Sequence, residues 1–342
     1  MKYIRLLIAV FLLSGLTEAG AQSINPISAG QKFRGVTMLQ TKEVGFDSPL
    51  SDESFYALAR TGANAVVFIP FMHQAHPQSP MVEKSDSVRD DQLISGIRRA
   101  HAARLRVILK PQILVENSWA GMIEMRDDAE WRAWFDNYTQ IILHYARIAQ
   151  NEGAEVVVIG TELRRTDHLP YWRDLIKQVR AVYGGRLTYA AHNQDGIVGF
   201  YHWDLLDELG VTLYPPLGNS ADTAEMRSKL DPVIKDLASL SGTYKKPVLI
   251  LEIGIPSGAN TQNTPWERPK GCEAPADARL QAAVIDLWLS SLNQPWVSGV
   301  FVWDWHSDPY AGGRNDTDFT VQNKPAQGVL RCHWLRKCLP VL

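Results

Sequence analysis

Two stretches of this chain lose all polar alternation and then meet a carboxylate. One runs from Val156 through Ile159 and Gly160 to Thr161 and Glu162; the other runs from Val248 through Leu251 to Glu252, Ile253 and Gly254. Aliphatic runs without a polar face are what strands buried on both sides look like. Ending such a run in Glu puts an ionisable group where a sheet meets a cavity, an expensive place for a residue without a task.

Shorter apolar runs at 33–37, 63–69, 105–109, 187–191, 211–214 and 300–303 predict six more strands. Between them the period changes to 3.6. Ser51, with Asp52 and Glu53 behind it, predicts a capped helix closed by Gly62. Leu93, Ile94, Ile97 and Ala100 share one helical face. Trp131, Trp134, Phe135, Tyr138, Ile141, Ile142, Tyr145 and Ile148 form an aromatic stripe on a longer helix, and such a stripe reads as core packing. Further helices are expected over 171–182, 205–209 and 226–240, and around Leu280, Val284 and Leu287. Residues 71–86, rich in His, Pro, Ser and Gln, read as a rim loop, and 256–275 as a second long loop. Eight strands alternating with helices, without a linker or repeat, imply a parallel sheet. The count and length fit an α/β chain folded as a single-domain (β/α)8 TIM barrel over 22–330, followed by a tail over 331–342. A doubly wound open sheet is the rival, and its Gly-rich first turn is missing.

Composition changes this picture at few points. A formal charge of -2 offers no basic surface for nucleic acid or an anionic membrane. Lys2 and Arg5, an apolar run over 6–13 and the small residues Ala19, Gly20 and Ala21 predict a signal peptide over 1–21. The run is too short to span a bilayer, and no Cys follows it to carry a lipid. The expectation is an exported protein, periplasmic or extracellular, with no membrane anchor. Export permits one disulfide among Cys272, Cys332 and Cys338, and the pairing stays open. None of the three stands at a strand end, so none is expected to be catalytic. His73 and His76 are too few to hold a metal, and Gly35-Val36-Thr37 stands at the first strand's end in place of a His pair. The 11 Trp exceed what a core of this size needs, and an indole face matches the C–H face of a pyranose.

In a barrel, Glu162 would end the fourth strand and Glu252 the seventh, both on the C-terminal face where catalytic groups of this fold sit. Two carboxylates about 5–5.5 Å apart there suffice for a retaining glycosidase without a cofactor.

Gly160-Thr161-Glu162-Leu163, Leu187-Thr188-Tyr189-Ala190, Glu252-Ile253-Gly254, Val302-Trp303-Asp304-Trp305 and Asn323-Lys324-Pro325-Ala326 occur in that order. The set resembles glycoside hydrolase family 113, part of the clan of retaining barrel enzymes with glutamates on strands four and seven, over about 31–330. The resemblance implies a β-1,4-mannanase-like enzyme, with Glu162 as acid/base and Glu252 as nucleophile. Glu162 then has to be protonated, so its pKa is expected to be raised by burial and the neighbouring carboxylate. Glu252 has to stay ionised, with Tyr214 as the expected donor. Trp303 is the expected platform under the sugar at the cleavage point, and Lys110 and Asn193 end strands from which they can bond hydroxyls. Trp119, and with less support Trp266, are placed at more distant subsites. Many clan members carry Asn before the acid/base, and here Thr161 holds that place. The expected partner is a β-linked oligo- or polysaccharide, taken by a monomer. The alternatives are a non-catalytic glycan-binding barrel, the same mechanism on glucan or xylan, and a metal-dependent hydrolase on the same fold.

Overall fold

A computed structural model of the protein describes residues 31–269, 275–336 and 338. In chain order the strands are β1 (Phe33–Leu39), β2 (Ala65–Phe68), β3 (Phe71–Gln74), β4 (Glu83–Lys84), β5 (Arg106–Leu109), β6 (Gln112–Val115), β7 (Val156–Thr161), β8 (Arg186–His192), β9 (Leu209–Leu213), β10 (Val248–Ile253) and β11 (Val297–His306). The helices are α1 (Ser51–Ala59), α2 (Asp90–Ala102), α3 (Asp128–Glu152), α4 (Tyr171–Val182), α5 (Asn193–Gly199), α6 (Thr223–Tyr244), α7 (Ala278–Ser291) and α8 (Pro325–Leu335). Strands β1, β2, β5, β7, β8, β9, β10 and β11 close into a parallel barrel, the expected (β/α)8 architecture.

The missing polar alternation has its explanation in two separate cores. Val156 and Val158 fill the barrel interior with Val67, Ile108, Leu249, Leu251 and Phe301, while Val157 and Ile159 face the helical layer. The aromatic stripe of α3 packs there: Trp134 stacks on Tyr138 with ring centroids 4.7 Å apart, and Trp172 of α4 meets both Phe135 and Tyr138 edge-on. At the barrel's lower end the guanidinium groups of Arg106 and Arg186 lie over the Phe33 ring at 4.0 and 5.0 Å.

Several expectations are corrected. Residues 71–86 are not all loop, because β3 pairs with β6 and β4 in a small sheet above the barrel. Pro70 and Pro111 interrupt the two barrel strands, and the chain resumes pairing beyond each of them. Leu50, not Ser51, is the N-cap of α1; Ser51 is buried and its hydroxyl donates to the Ser48 carbonyl at 2.7 Å. The helix expected over 205–209 is one 3-10 turn, Trp203–Leu205, and α5 was not foreseen. The tail boundary at 330/331 falls inside α8, where Trp334 is buried and its carbonyl accepts from Arg34 at 3.0 Å. Cys332 and Cys338 form a disulfide just beyond. Cys272 and the signal peptide expected over 1–21 lie outside the described residues. Among the described residues, no helix is long and apolar enough to cross a membrane.

Candidate active site

Both glutamate-bearing strands break register just before their carboxylate. β7 slips against β8 between Val158 and Thr161, and β10 slips against β9 between Ile250 and Glu252. Such bulges re-aim the side chains that follow them. In β7 the bulge is held from outside. Tyr138 donates to the Ile159 carbonyl at 2.9 Å, and Gly160 leaves room for Trp172, whose ring would lie 2.7 Å from a Cβ there. Glu162 then turns at φ 56°, and Leu163 is tied down by its N–H donating to the Tyr189 hydroxyl at 2.8 Å. Tyr189 in turn donates to buried Asp167 at 2.6 Å, where burial pushes the carboxyl up to about 7.

Glu162 and Glu252 share one cavity of about 730 Å³, lined also by Trp119, His192, Asn193, Tyr214, Trp266 and Trp303. Glu252 is almost wholly buried. It is ion-paired with the fully buried Lys110, and its Oε2 accepts from the Tyr214 hydroxyl at 2.9 Å. Burial, then the Glu252 charge, keep Tyr214 a protonated phenol and so a donor. Glu162 accepts on one oxygen, Oε1, from the Thr212 hydroxyl at 2.5 Å, with His192 Nδ1 at 3.1 Å.

The charges follow from these contacts, and in the free site they run opposite to expectation. For Glu252 burial is the largest effect and raises the carboxyl above its usual range, aided by the Glu162 charge and opposed by Lys110 and Tyr214. For Glu162 burial also pushes upward, but His192, Thr212 and the Lys110 charge together outweigh it and hold the carboxyl low. The expected raising of Glu162 is therefore absent from the free site, because it has neighbours the expectation did not include.

Of the residues expected here, Glu162, Glu252, Tyr214, Trp303, Trp119, Trp266 and Asn193 line the cavity. Lys110 sits beneath it, with its ammonium on Glu252 and Gln112 and no open face for a hydroxyl. It also lies 5.7 Å from the centre of the Trp303 ring. Thr161 is not brought in: it is buried, with its hydroxyl 3.5 Å from the Pro111 carbonyl. His192 and Thr212 were missed as site residues. The one available signal was their position at the ends of strands. Asn323 and Lys324 build the wall rather than the site. Asn323 holds the 309–311 turn through two carbonyls, and the Lys324 ammonium is buried on Asp316, Ser257 and the Asp318 carbonyl. Next to Trp303, Asp304 is buried with Oδ1 lacking any hydrogen-bond partner, and burial pushes its carboxyl up to about 8. Among the described residues, no group of three or more His, Cys, Asp or Glu is placed to hold a metal ion.

The sequence model of glycoside hydrolase family 113 matches residues 37–324. Among solved structures, a family 113 β-1,4-mannanase in a complex is 26% identical over 90% of this chain and 100% of its own, with a TM-score of 0.77. The family 113 β-mannanase AaManA from Alicyclobacillus acidocaldarius, in complex with ManMIm, is 25% identical over 89% of this chain and 97% of its own, at 0.79. A β-glucuronidase from Ruminococcus gnavus shares the barrel alone, at 11% identity and 0.59, over 89% of this chain and 50% of that one. No curated protein matches the sequence.

Proposed function

Because the chain belongs to glycoside hydrolase family 113, we propose that it cleaves β-1,4-linked mannan by double displacement, with Glu252 as nucleophile and Glu162 as acid/base. The observation that carries the assignment is the pair of donors on Glu252. A carboxylate that attacks an anomeric carbon, and later leaves it, is helped by groups that steady its charge, and Lys110 and Tyr214 are both placed to do so. Glu162 lines the same cavity without a Lys or Arg in contact, as suits a group that must pass a proton back and forth.

In the first step Glu252 bonds to the anomeric carbon while the glycosidic bond breaks. Its electron pair goes to the leaving oxygen, which takes the Glu162 proton. In the second, water bonds to the anomeric carbon, its proton goes to Glu162, and Glu252 leaves with the bonding pair. Once Glu252 is esterified its charge is gone, which favours the ionised form of Glu162 needed for that step. The free site keeps Glu162 low, so the first step draws on a minor protonation state and the pH optimum is expected to be acidic. Trp303 supplies an apolar face to the sugar at the cleavage point. Trp119 and Trp266 stand half-exposed at the mouth, which favours long chains and internal cuts. The basic start, apolar run and small residues of 1–21 support export of a mature chain beginning near Gln22.

The test is reducing-sugar release from β-mannan, glucomannan, cellulose oligomers and xylan, with Glu162→Gln and Glu252→Gln beside the parent chain. Mannan cleavage that both variants lose by at least about 1000-fold is the expected outcome. Early mixed-length products would establish internal cleavage. Turnover of another glycan alone would discard the mannanase reading, and turnover surviving Glu252→Gln would discard the nucleophile.

A further inference from the structure

Asn193 links the surroundings of the two carboxylates. It opens α5 at φ 54°, a left-handed conformation that Asn tolerates better than most residues. Both polar atoms of its side chain are engaged. Oδ1 accepts the Tyr214 backbone N–H at 3.2 Å, which decides which way the amide faces. Nδ2 then lies 3.1 Å from His192 Nε2. An amide nitrogen only donates, so Nε2 is the bare nitrogen and the proton of the neutral ring sits on Nδ1. That nitrogen lies 3.1 Å from Glu162 Oε1, and Trp119 covers the ring at 5.0 Å between centroids. The same Tyr214 whose N–H orients Asn193 donates through its hydroxyl to Glu252.

We propose that Asn193 is a positioning residue that locks His192 in the neutral tautomer with its proton on Nδ1, so that His192 donates to Glu162 and holds it as the carboxylate that deprotonates water in the second half of the reaction. The proposal rests on the double-displacement reading for its catalytic half and on the hydrogen-bond chain for its tautomer. No proton leaves His192 in the cycle. The water proton ends on Glu162, and the imidazole only strengthens the form that receives it. The charged groups around the ring are Glu162 just after β7, Asp167 from the turn that follows, the ion pair of Arg164 with Asp195 of α5 beside Asp167 and, beyond Glu162, Lys110 just after β5; Thr212 of β9 shares the same Glu162 oxygen. The lock carries a cost in the first half, since each donor on Glu162 makes its acid form scarcer.

The experiment combines nitrogen-15 NMR of the histidine side chains in the full chain with kinetics of three single variants and one double variant. His192→Asn identifies the His192 signals by their loss, and it also keeps an N–H donor near where Nδ1 stood. The expected parent spectrum shows a neutral ring protonated on Nδ1. Asn193→Gly suits the left-handed backbone and removes the lock. It should move the acidic limb of kcat/KM to higher pH, because Glu162 ionises before Glu252 in the free site and that limb follows Glu162. It should also lower kcat about 10-fold on a dinitrophenyl β-mannobioside, whose first step needs no acid. Asn193→Asp demands a proton on Nε2, so the ring becomes a cation and the acidic limb moves to lower pH. In the His192→Asn background Asn193→Gly should change little, because an amide donor has no tautomer to lock. A protonated Nε2 in the parent spectrum overturns the lock. An unmoved acidic limb in Asn193→Gly overturns its catalytic role. Failure of the parent chain to cleave any β-glycan would sink the glycosidase reading and the catalytic half of this proposal, while the spectrum would still decide the tautomer.

Discussion

At the scale of single residues, Glu252 depends on its two donors because burial works against its charge. Lys110→Met removes the nearest cation, so Glu252 rises further and needs a higher pH to ionise. The expected result is an alkaline limb of kcat/KM displaced to higher pH over a lower plateau, with the acidic limb moving less because the Lys110 charge is the smallest influence on Glu162, read from pH-rate profiles. Tyr214→Phe removes one hydrogen bond to a charged group, worth about 1.5–3 kcal/mol. That corresponds to a kcat loss of roughly 10- to 150-fold, measurable on mannan at the parent optimum. The carboxylates and Tyr214 were legible because they end apolar runs, where burial makes a polar side chain conspicuous. His192 and Thr212 were not, since a His or Thr after a strand is ordinary until its neighbour is known. Lys110 was legible as a strand end, but the Glu252 it serves lies 142 residues away.

At the scale of elements, the two bulges do what regular strands cannot. An ideal strand alternates its faces, and each register slip lets a strand that packs regularly below present its glutamate to the mouth above. Gly160 is the tightest point of the first slip, pressed between Trp172 and Tyr189. Gly160→Ala is expected to destabilise the protein by about 1–3 kcal/mol, seen as a lower Tm. It should also reduce kcat more than it changes KM, because relief of the clash has to shift Glu162. An unchanged kcat with a lowered Tm would mean that the bulge is only structural. The sequence shows Gly160 as one residue in an apolar run and carries no sign of the slip, because register belongs to a pair of strands. The small sheet of β3, β4 and β6 was hidden for the same reason: its strands are short, and pairing across 40 residues defines them.

At the scale of the molecule, stability carries a mark of the buried acid next to Trp303. Asp304 has a folded pKa of about 8 against an ordinary 3.8, so between these values the folded state binds more protons than the unfolded one. Stability from this group is therefore full at low pH and is lost as pH rises through the window, by up to about 1.4 kcal/mol per pH unit. Asp304→Asn should flatten that slope, raising Tm at pH 8 and leaving it near the parent value at pH 4; thermal melts across pH 4–9 check this. The barrel itself was readable from the chain, because eight apolar runs separated by helical periods have few other ways to bury themselves. The two glutamate-bearing strands were readable too, since strands sealed on both faces leave their ends as the only place for a charge. Tertiary structure alone decided which neighbours hold Glu162 low and leave Glu252 raised, and which atom of Asn193 faces His192. It also decided the partner of Lys110 and the inward turn of Asn193. Each of these depends on which side chain of a distant strand stands about 3 Å away, and hydrophobic pattern carries no information at that range.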